Sequence, residues 1–242
     1  MDDAFELGSY LPRSFKTPAE QEYLAFLWGA FESNYRKENH QFALLAYHML
    51  TMSFFYFNIW QIRQARPEDF EKGLIGFDRN TEKCLLEATS PFVFSKVKER
   101  SILRLLKLIQ CDNSKIGTYT KLVDDRNDIV HPNGNIYFST EEALTRKIIE
   151  VLRVVDEIQT YSKPIIEYTY REFLLHNYDP EDREYPENID QIREVLIHAN
   201  YLSQKDIEIC TSVNLSVIAN HQNFSDIQKL HEALSSEYGM ND

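Results

Sequence analysis

Residues 42–60, FALLAYHMLTMSFFYFNIW, form the most apolar stretch of the chain and constrain its fold more than any other segment. Single polar residues interrupt the stretch at His48, Thr51, Ser53 and Asn58. Apolar side chains would cover nearly every side of a helix here, which indicates burial by several neighbouring helices. A membrane-spanning helix needs about 20 predominantly apolar residues. The interruptions therefore favour a buried central helix over a membrane span, and we expect no membrane association.

Composition indicates that the surrounding elements are helices as well. The 242 residues include only seven Gly and eight Pro, fewer chain-breaking residues than a fold rich in turns would need, so we predict an all-α fold. Cys84, Cys111 and Cys210 are far apart and have no metal-binding or redox spacing, which is typical of a reducing cytoplasm. The acidic, mixed N-terminus does not resemble a signal peptide.

The charge of the chain excludes a general basic coat for binding nucleic acid. The formal net charge is −12, whereas a nucleic-acid-binding surface needs clustered Lys and Arg. The densest basic cluster lies in residues 95–110, where Ser95 is expected to cap a helix. This cluster is either a solvated helix face or one wall of a phosphate-binding groove. The candidate RNA-binding residues are Lys98, Arg100, Arg104 and Lys107.

Local patterns predict where several helices begin. A Ser or Thr followed three residues later by Glu or Gln forms a capping box at the start of a helix. Three such boxes are present: Thr17 with Glu20, Ser139 with Glu142, and Ser225 with Gln228. The pattern that follows Ser139 is long, and Pro164 is expected to kink or restart that helix.

These patterns divide the chain into four parts. We predict an irregular lead-in over residues 1–16 and a helical bundle over 17–177. An acidic linker follows at 178–188, and a small helical extension occupies 189–242. Part of the extension faintly resembles a helix-turn-helix, but it has no basic residue from 211 to 224, so DNA is not an expected partner. We therefore expect this helical extension to contact partner proteins or to mediate dimerisation rather than to bind DNA.

Residues 121–135, KLVDDRNDIVHPNGN, combine a predicted helix end with an unusual group of side chains. A purely structural interpretation is available. A His near a helix C-terminus is favourable because its cation meets the negative end of the helix dipole. Pro132 and the following Asn-Gly turn would stop the helix, and Arg126 would pair with an acidic residue.

A chemical interpretation is also open. Asn127 and His131 are four residues apart and share a helix face, with Arg126 adjacent. His131 could transfer a proton to or from a ribose 2′-hydroxyl or a leaving oxygen. Arg126 could hold a phosphate and stabilise developing charge, while Asn127 orients either group. No metal-ligand spacing occurs nearby, so the predicted site has no metal and no cofactor.

The six residues 126–131, Arg-Asn-Asp-Ile-Val-His, resemble the signature of the HEPN superfamily (higher eukaryotes and prokaryotes nucleotide-binding). In that family an Arg is followed by a polar residue, a short spacer and a His, near the end of one helix and before a loop and another long helix. This chain has the same order, with a loop at 132–136 and a helical pattern from Ser139. The likeness covers residues 17–177 in architecture and six residues in detail.

The resemblance implies a HEPN-like helical bundle with long helices and a metal-independent endoribonuclease acting in phage defence, as a toxin or in a stress response. Arg126 and His131 would be catalytic and Asn127 supporting. A homodimer with a composite active site and a protein partner or antitoxin are further implications. Some members have a Tyr two residues beyond the His, where this chain has Asn133, so silencing by Tyr modification is not expected. The alternative is an inactive HEPN-like scaffold that binds RNA or protein.

Overall fold

The computed structural model describes residues 2–132 and 134–239. Over this range the chain is 76% helical and has no strand, which confirms the predicted all-α fold. Asn133, which belongs to the predicted turn and occupies the position where some HEPN members have a Tyr, lies outside the described residues.

The helices vary widely in length. The α-helices are α1 (Asp2–Phe5), α2 (Pro18–Arg36), α3 (His40–Ala65), α4 (Pro67–Gly73), α5 (Arg79–Leu86), α6 (Glu99–Leu103), α7 (Asn113–Val130), α8 (Glu141–Asn177), α9 (Asn188–Gln191), α10 (Gln204–Thr211) and α11 (Phe224–Tyr238). Short 3-10 segments cover Glu6–Tyr10, Pro91–Lys96, Arg104–Ile109 and Leu215–Ile218, and a π-helical segment covers Ile192–His198.

The apolar stretch forms the centre of helix α3, which packs against α2, α7 and α8. Helix α3 is long and apolar enough to cross a membrane, but 83% of its most apolar window is buried inside the protein. Several of its polar side chains form hydrogen bonds inside the protein, as buried polar groups usually do. Asn58 donates from Nδ2 to Ser162 Oγ at 2.6 Å, and the Thr51 hydroxyl donates to the Tyr47 carbonyl at 2.9 Å.

Of the three predicted capping boxes, the structure has the one at α2 and lacks the ones at α8 and α11. Helix α2 has the predicted box between Thr17 and Glu20. Helix α8 is capped by Thr140 rather than Ser139, because the extended backbone at Thr140 lets its hydroxyl accept from the Ala143 N–H at 3.3 Å. Helix α11 begins at Phe224, before the predicted Ser225 cap, and makes no side-chain cap.

The predicted helix over residues 95–110 is divided in the structure. Ser95 ends a 3-10 segment, and its hydroxyl donates to the Phe92 carbonyl at 2.7 Å instead of capping a helix. Helix α6 starts only at Glu99, and a 3-10 segment follows it until Gln110, where φ is 69°. Irregular backbone on both sides therefore changes the direction in which the basic side chains point.

Helix α8 continues through Pro164, so the predicted restart does not occur. Proline inside a helix removes one backbone hydrogen bond and crowds the preceding turn. Ile165 and Ile166, immediately after it, are both buried, and their packing holds this part of the helix in place.

The lead-in is not irregular throughout. Residues 2–10 form α1 and a 3-10 segment that both pack against α8. Leu7, Tyr10 and Leu11 are buried, and the Tyr10 hydroxyl donates to Asp156 Oδ1 at 3.1 Å. The buried apolar side chains of this acidic segment therefore attach the segment to the helical bundle.

The C-terminal helices have a core of their own, built on the second half of α8. Ile166, Tyr170, Phe173 and Leu174 of α8 belong to this second core, together with side chains from the π-helical segment, α10 and α11. Residues 178–187, between α8 and α9, contain no helix. The division into domains at these positions remains a prediction.

Buried Asp206 joins the second core to the first. Its carboxylate accepts from Gln61 of α3 at 3.0 Å, from Gln159 of α8 at 2.7 Å and from the Ser203 N–H at 2.9 Å. Burial raises the pKa of the Asp206 carboxyl, against these hydrogen bonds. One acidic side chain thus connects α3, α8 and α10.

Candidate functional site

The candidate catalytic residues lie at the C-terminal end of α7. The helix begins with a cap in which Asp112 accepts from the Lys115 N–H at 2.9 Å. Leu122, Arg126 and Ile129 share one helix face, on which the two apolar side chains are buried and Arg126 is partly exposed. The apolar spacing of α7 therefore fixes the direction in which the Arg126 side chain leaves the helix.

His131 terminates α7. Its backbone is extended (φ −85°, ψ 131°), and its N–H donates to the Asn127 carbonyl at 3.1 Å. The His131 side chain is exposed, and Asn127 is half-buried. Among the described residues none forms an ion pair with the His131 ring. The imidazole is consequently accessible at the end of the helix.

Arg126 belongs to a group of three charged or titratable side chains. Its Nη2 lies 2.8 Å from Glu99 Oε2, and His48 Nε2 lies 3.3 Å from the same oxygen. The side chains are 27% exposed for Arg126, 19% for Glu99 and 7% for His48. Burial raises the pKa of the Glu99 carboxyl, but hydrogen bonds and charge from His48 and Arg126 outweigh it, so the pKa is lowered overall. Glu99 is therefore held as a carboxylate.

Arg126 also lines a cleft of about 780 Å³ between α2 and α7, which we call the α2–α7 cleft. Its floor is α3, and its other wall is the segment from Ser90 to Glu99. Five of the fourteen lining residues have aromatic or thioether side chains, and the charges come from Glu20, Lys98, Glu99 and Arg126. A cavity of this size with few charged groups is typical of a small-molecule or substrate site.

The structure does not bring all three candidate catalytic residues to this cleft. Arg126 lines it, whereas Asn127 and His131 do not. Arg126 and His131 are five positions apart on α7, so their side chains leave the helix in different directions. Within one chain, the guanidinium and the imidazole face different surroundings.

The four candidate RNA-binding residues are also separated. Lys98 lines the α2–α7 cleft, and Arg100 forms an ion pair with Asp124. Arg104 and Lys107 line a different groove of about 270 Å³. The expected single basic wall is absent from the described chain because residues 95–110 do not form one helix.

A second ion-pair cluster lies next to Arg126, because Asp125 and Lys147 line one small pocket with Arg126 and His48. Lys147 Nζ is 2.8 Å from Asp125 Oδ2 and 2.5 Å from Glu150 Oε2. Burial lowers the pKa of Lys147, but its contacts with the two carboxylates outweigh this and raise it overall. Asp124 and Asp125 are therefore both paired with cations other than Arg126.

Sequence reasoning missed Glu99 and the aromatic residues of the cleft. Glu99 was the only acidic residue in the basic stretch 95–110, and that isolation was the available signal. Tyr56 belongs to the apolar stretch 42–60, which was predicted to be a buried helix, and most of that stretch is indeed buried. Nothing in the spacing distinguished Tyr56, which lines the cleft, from its neighbours.

No group of three His, Cys, Asp or Glu side chains within residues 2–132 and 134–239 is arranged to hold a metal ion. Comparison of the chain with models of known protein families, with curated proteins and with solved structures found no match. Function must therefore be inferred from the geometry of the cleft and of the end of α7.

Proposed function

We propose that the chain is a metal-independent endoribonuclease of the HEPN type. The observation that carries the proposal is the position of Arg126, which lines the α2–α7 cleft while the exposed His131 ends the same helix. A guanidinium beside a cleft can bind a phosphate, and an accessible imidazole can move protons near neutral pH.

The reaction needs only these groups and the RNA. The ribose 2′-oxygen attacks the adjacent phosphorus, and the bond to the 5′-oxygen of the next nucleotide breaks. The products are a 2′,3′-cyclic phosphate and a 5′-hydroxyl. The 2′-hydroxyl loses a proton and the leaving 5′-oxygen gains one; His131 carries out one of these transfers, and water or the His131 of a second copy carries out the other. Arg126 stabilises the charge on the phosphate, and Asn127 is a supporting residue beside them.

We propose further that the active site is completed in a homodimer. In one chain His131 lies outside the cleft that Arg126 lines, so a second copy would have to supply the missing group. Val130 and Ile136 flank His131 and are 42% and 80% exposed. Apolar side chains this exposed are suited to burial against another protein surface.

The biological setting is part of the same proposal. RNA is the expected substrate, in the cytoplasm, in phage defence, as a toxin or during a stress response. A regulating protein partner or antitoxin fits this setting. DNA and membranes are not expected partners.

The proposal is tested by incubating the purified protein with single-stranded RNA in EDTA. We expect cleavage with cyclic-phosphate products, and no cleavage at a site whose 2′-hydroxyl is replaced by hydrogen. His131→Ala and Arg126→Ala should each lower the rate by at least about 100-fold, the scale of a lost acid–base or charge-stabilising group. His176→Ala, which changes a 71% exposed His of α8, should cleave like wild type. If concentrated wild-type protein cuts no RNA, the proposal fails.

The second candidate is a catalytically inactive HEPN-like scaffold that binds RNA or another protein. The contact between Arg126 and Glu99 favours it, because a guanidinium already paired with a carboxylate is less available to a phosphate. RNA binding without cleavage, unaffected by His131→Ala, would support this alternative.

A further inference from the structure

Three aromatic rings form one end of the α2–α7 cleft. The ring of Phe92 has its centroid 5.1 Å from that of Tyr23 and 6.4 Å from that of Tyr56, and both pairs are nearly perpendicular. All three residues line the cleft. Tyr23 is 36% exposed, so it has accessible ring surface beside the opening. A flat ring of a ligand can stack on such a surface.

The floor of the cleft contains the hydroxyl-bearing side chain of Tyr56. Tyr56 is only 7% exposed, and its hydroxyl forms no hydrogen bond with any residue in the part of the chain that the structure describes. Burial is the main reason that the pKa of Tyr56 is raised, so the hydroxyl stays protonated and can donate. Tyr56 is therefore suited to bond a polar atom at the edge of a bound ring.

Two cationic side chains line the same cleft, together with two carboxylates. One of these carboxylates, Glu20, is buried and accepts hydrogen bonds from the hydroxyls of Ser90 and Tyr201. Arg126 is partly exposed there, and Lys98 makes no ion pair with a described residue. Glu99 contacts Arg126 at 2.8 Å, but that carboxylate is also shared with His48. A ligand that combines a flat ring with an anionic group would therefore match the aromatic rings, the Tyr56 hydroxyl and the two cations.

We propose that the α2–α7 cleft binds one nucleotide unit, with its base against Tyr23 and Phe92, an edge of the base on the Tyr56 hydroxyl, and its phosphate toward Lys98 and Arg126. The unit is either a free mononucleotide or one unpaired nucleotide of an RNA strand. For RNA as the source, the inference rests on the proposed function, and it adds to that function a pocket that selects one base beside the scissile phosphate.

Binding of the four 5′-mononucleotides to the full chain, measured by titration calorimetry, tests the site directly. We expect at least one base to bind, and ribose 5-phosphate to bind at least about tenfold more weakly because it cannot stack. Tyr23→Ala should weaken binding by about 5- to 100-fold through lost stacking. Tyr56→Phe, which removes only the hydroxyl, should weaken it by about fivefold. Tyr168→Ala provides a matched control, since this Tyr of α8 is 42% exposed and lies outside the cleft.

Competition with single-stranded RNA distinguishes the two sources. If RNA displaces the mononucleotide, the site binds a nucleotide of an RNA strand. If RNA does not displace it, the site binds a free nucleotide. Both results support a nucleotide site. Failure of all four mononucleotides to bind, or binding unchanged in Tyr23→Ala and Tyr56→Phe, overturns the inference. If these variants lose nucleotide binding and the wild type cuts no RNA, the inference stands and the proposed nuclease fails. If Tyr23→Ala cuts RNA with unchanged rate and base preference, the nuclease stands and the assignment of the pocket to an RNA strand fails.

Discussion

Arg126 and Glu99 form an ion pair at 2.8 Å on the wall of the α2–α7 cleft. The same carboxylate oxygen also contacts His48, so it has two nitrogen neighbours from two different helices. A phosphate that approaches Arg126 therefore encounters a negative charge already in place. The Glu99 carboxylate could hold the Arg126 guanidinium in position for a phosphate, or it could compete with the phosphate for the guanidinium. The two cases predict opposite effects on RNA binding when the charge of Glu99 is removed.

Removing the charge of Glu99 should strengthen RNA binding. In Glu99→Gln the side chain keeps its shape, but it no longer repels a phosphate or neutralises Arg126. We expect the Kd for a single-stranded RNA to fall by about 3- to 10-fold at low salt, the scale of one exposed or half-exposed charge. Fluorescence anisotropy at fixed ionic strength measures this change.

Glu32→Gln is the matched control for that experiment. Glu32 pairs with Arg36 at 2.6 Å on α2 and does not line the cleft. The control should change RNA binding by less than twofold. Weaker binding by Glu99→Gln would mean that the carboxylate positions Arg126 for the phosphate rather than competing with it.

The same pair should give the protein a defined pH dependence of stability. Unfolded Glu99 titrates near its ordinary pKa of 4.5, and the folded protein holds that pKa lower despite the opposing effect of burial. Ionised Glu99 therefore contributes stability above about pH 4.5, and the contribution is lost as the pH falls through the lower folded value. Urea unfolding of wild type and Glu99→Gln should differ more in free energy at pH 6 than at pH 3. A difference that is constant across this range would exclude the coupling.

The position of Glu99 shows what the sequence could not predict. The cap of α2 was predictable because Thr17 and Glu20 interact over one helical turn. The contact of Glu99 with Arg126 joins residues 27 positions apart and depends on a break before α6. That break depends on the backbone conformation at Lys98, which no periodicity revealed.

The end of α7 was predictable only in part. The stop at His131 followed from the Pro-Asn-Gly turn, and α7 ends at Val130. The cleft beside Arg126 was not predictable, because α2, α3 and the Ser90–Glu99 segment build it together. Residues that are neighbours in the sequence, such as Arg126 and Asn127, consequently have different surroundings.

The proposed dimer should depend on the apolar residues near His131. Ile136→Glu places a charge on an 80% exposed side chain that we expect the partner to cover. Burying an unpaired carboxylate is strongly unfavourable, so the variant should be monomeric in sedimentation velocity and inactive on RNA. Val217→Glu changes a comparably exposed residue (75%) of the C-terminal helices and should leave the dimer intact. A wild-type protein that is monomeric at all concentrations would contradict the composite site.

The junction between the two cores should depend on Asp206. In Asp206→Ala the side chains of Gln61 and Gln159 and the Ser203 N–H lose their common acceptor. We expect the free energy of unfolding to fall by about 2–4 kcal/mol, because each buried unpaired polar group costs about 1–3 kcal/mol. Chemical denaturation followed by circular dichroism measures the loss.

Glu208→Ala serves as a control on the same helix. Glu208 is partly exposed and pairs with Lys205 at 3.1 Å. Removing a surface pair of this kind should change stability by less than about 1 kcal/mol. Equal effects of the two substitutions would show that the Asp206 junction contributes little.

Helix α8 supplies side chains to both cores, and this has a practical consequence for dividing the protein. Ending the chain after Asn177 would leave Ile166, Tyr170, Phe173 and Leu174 facing water along one stripe of the helix. A fragment with such a stripe is prone to self-association. Loss of activity in that fragment would therefore say nothing about the catalytic role of the missing helices, whereas point substitutions on the intact chain would.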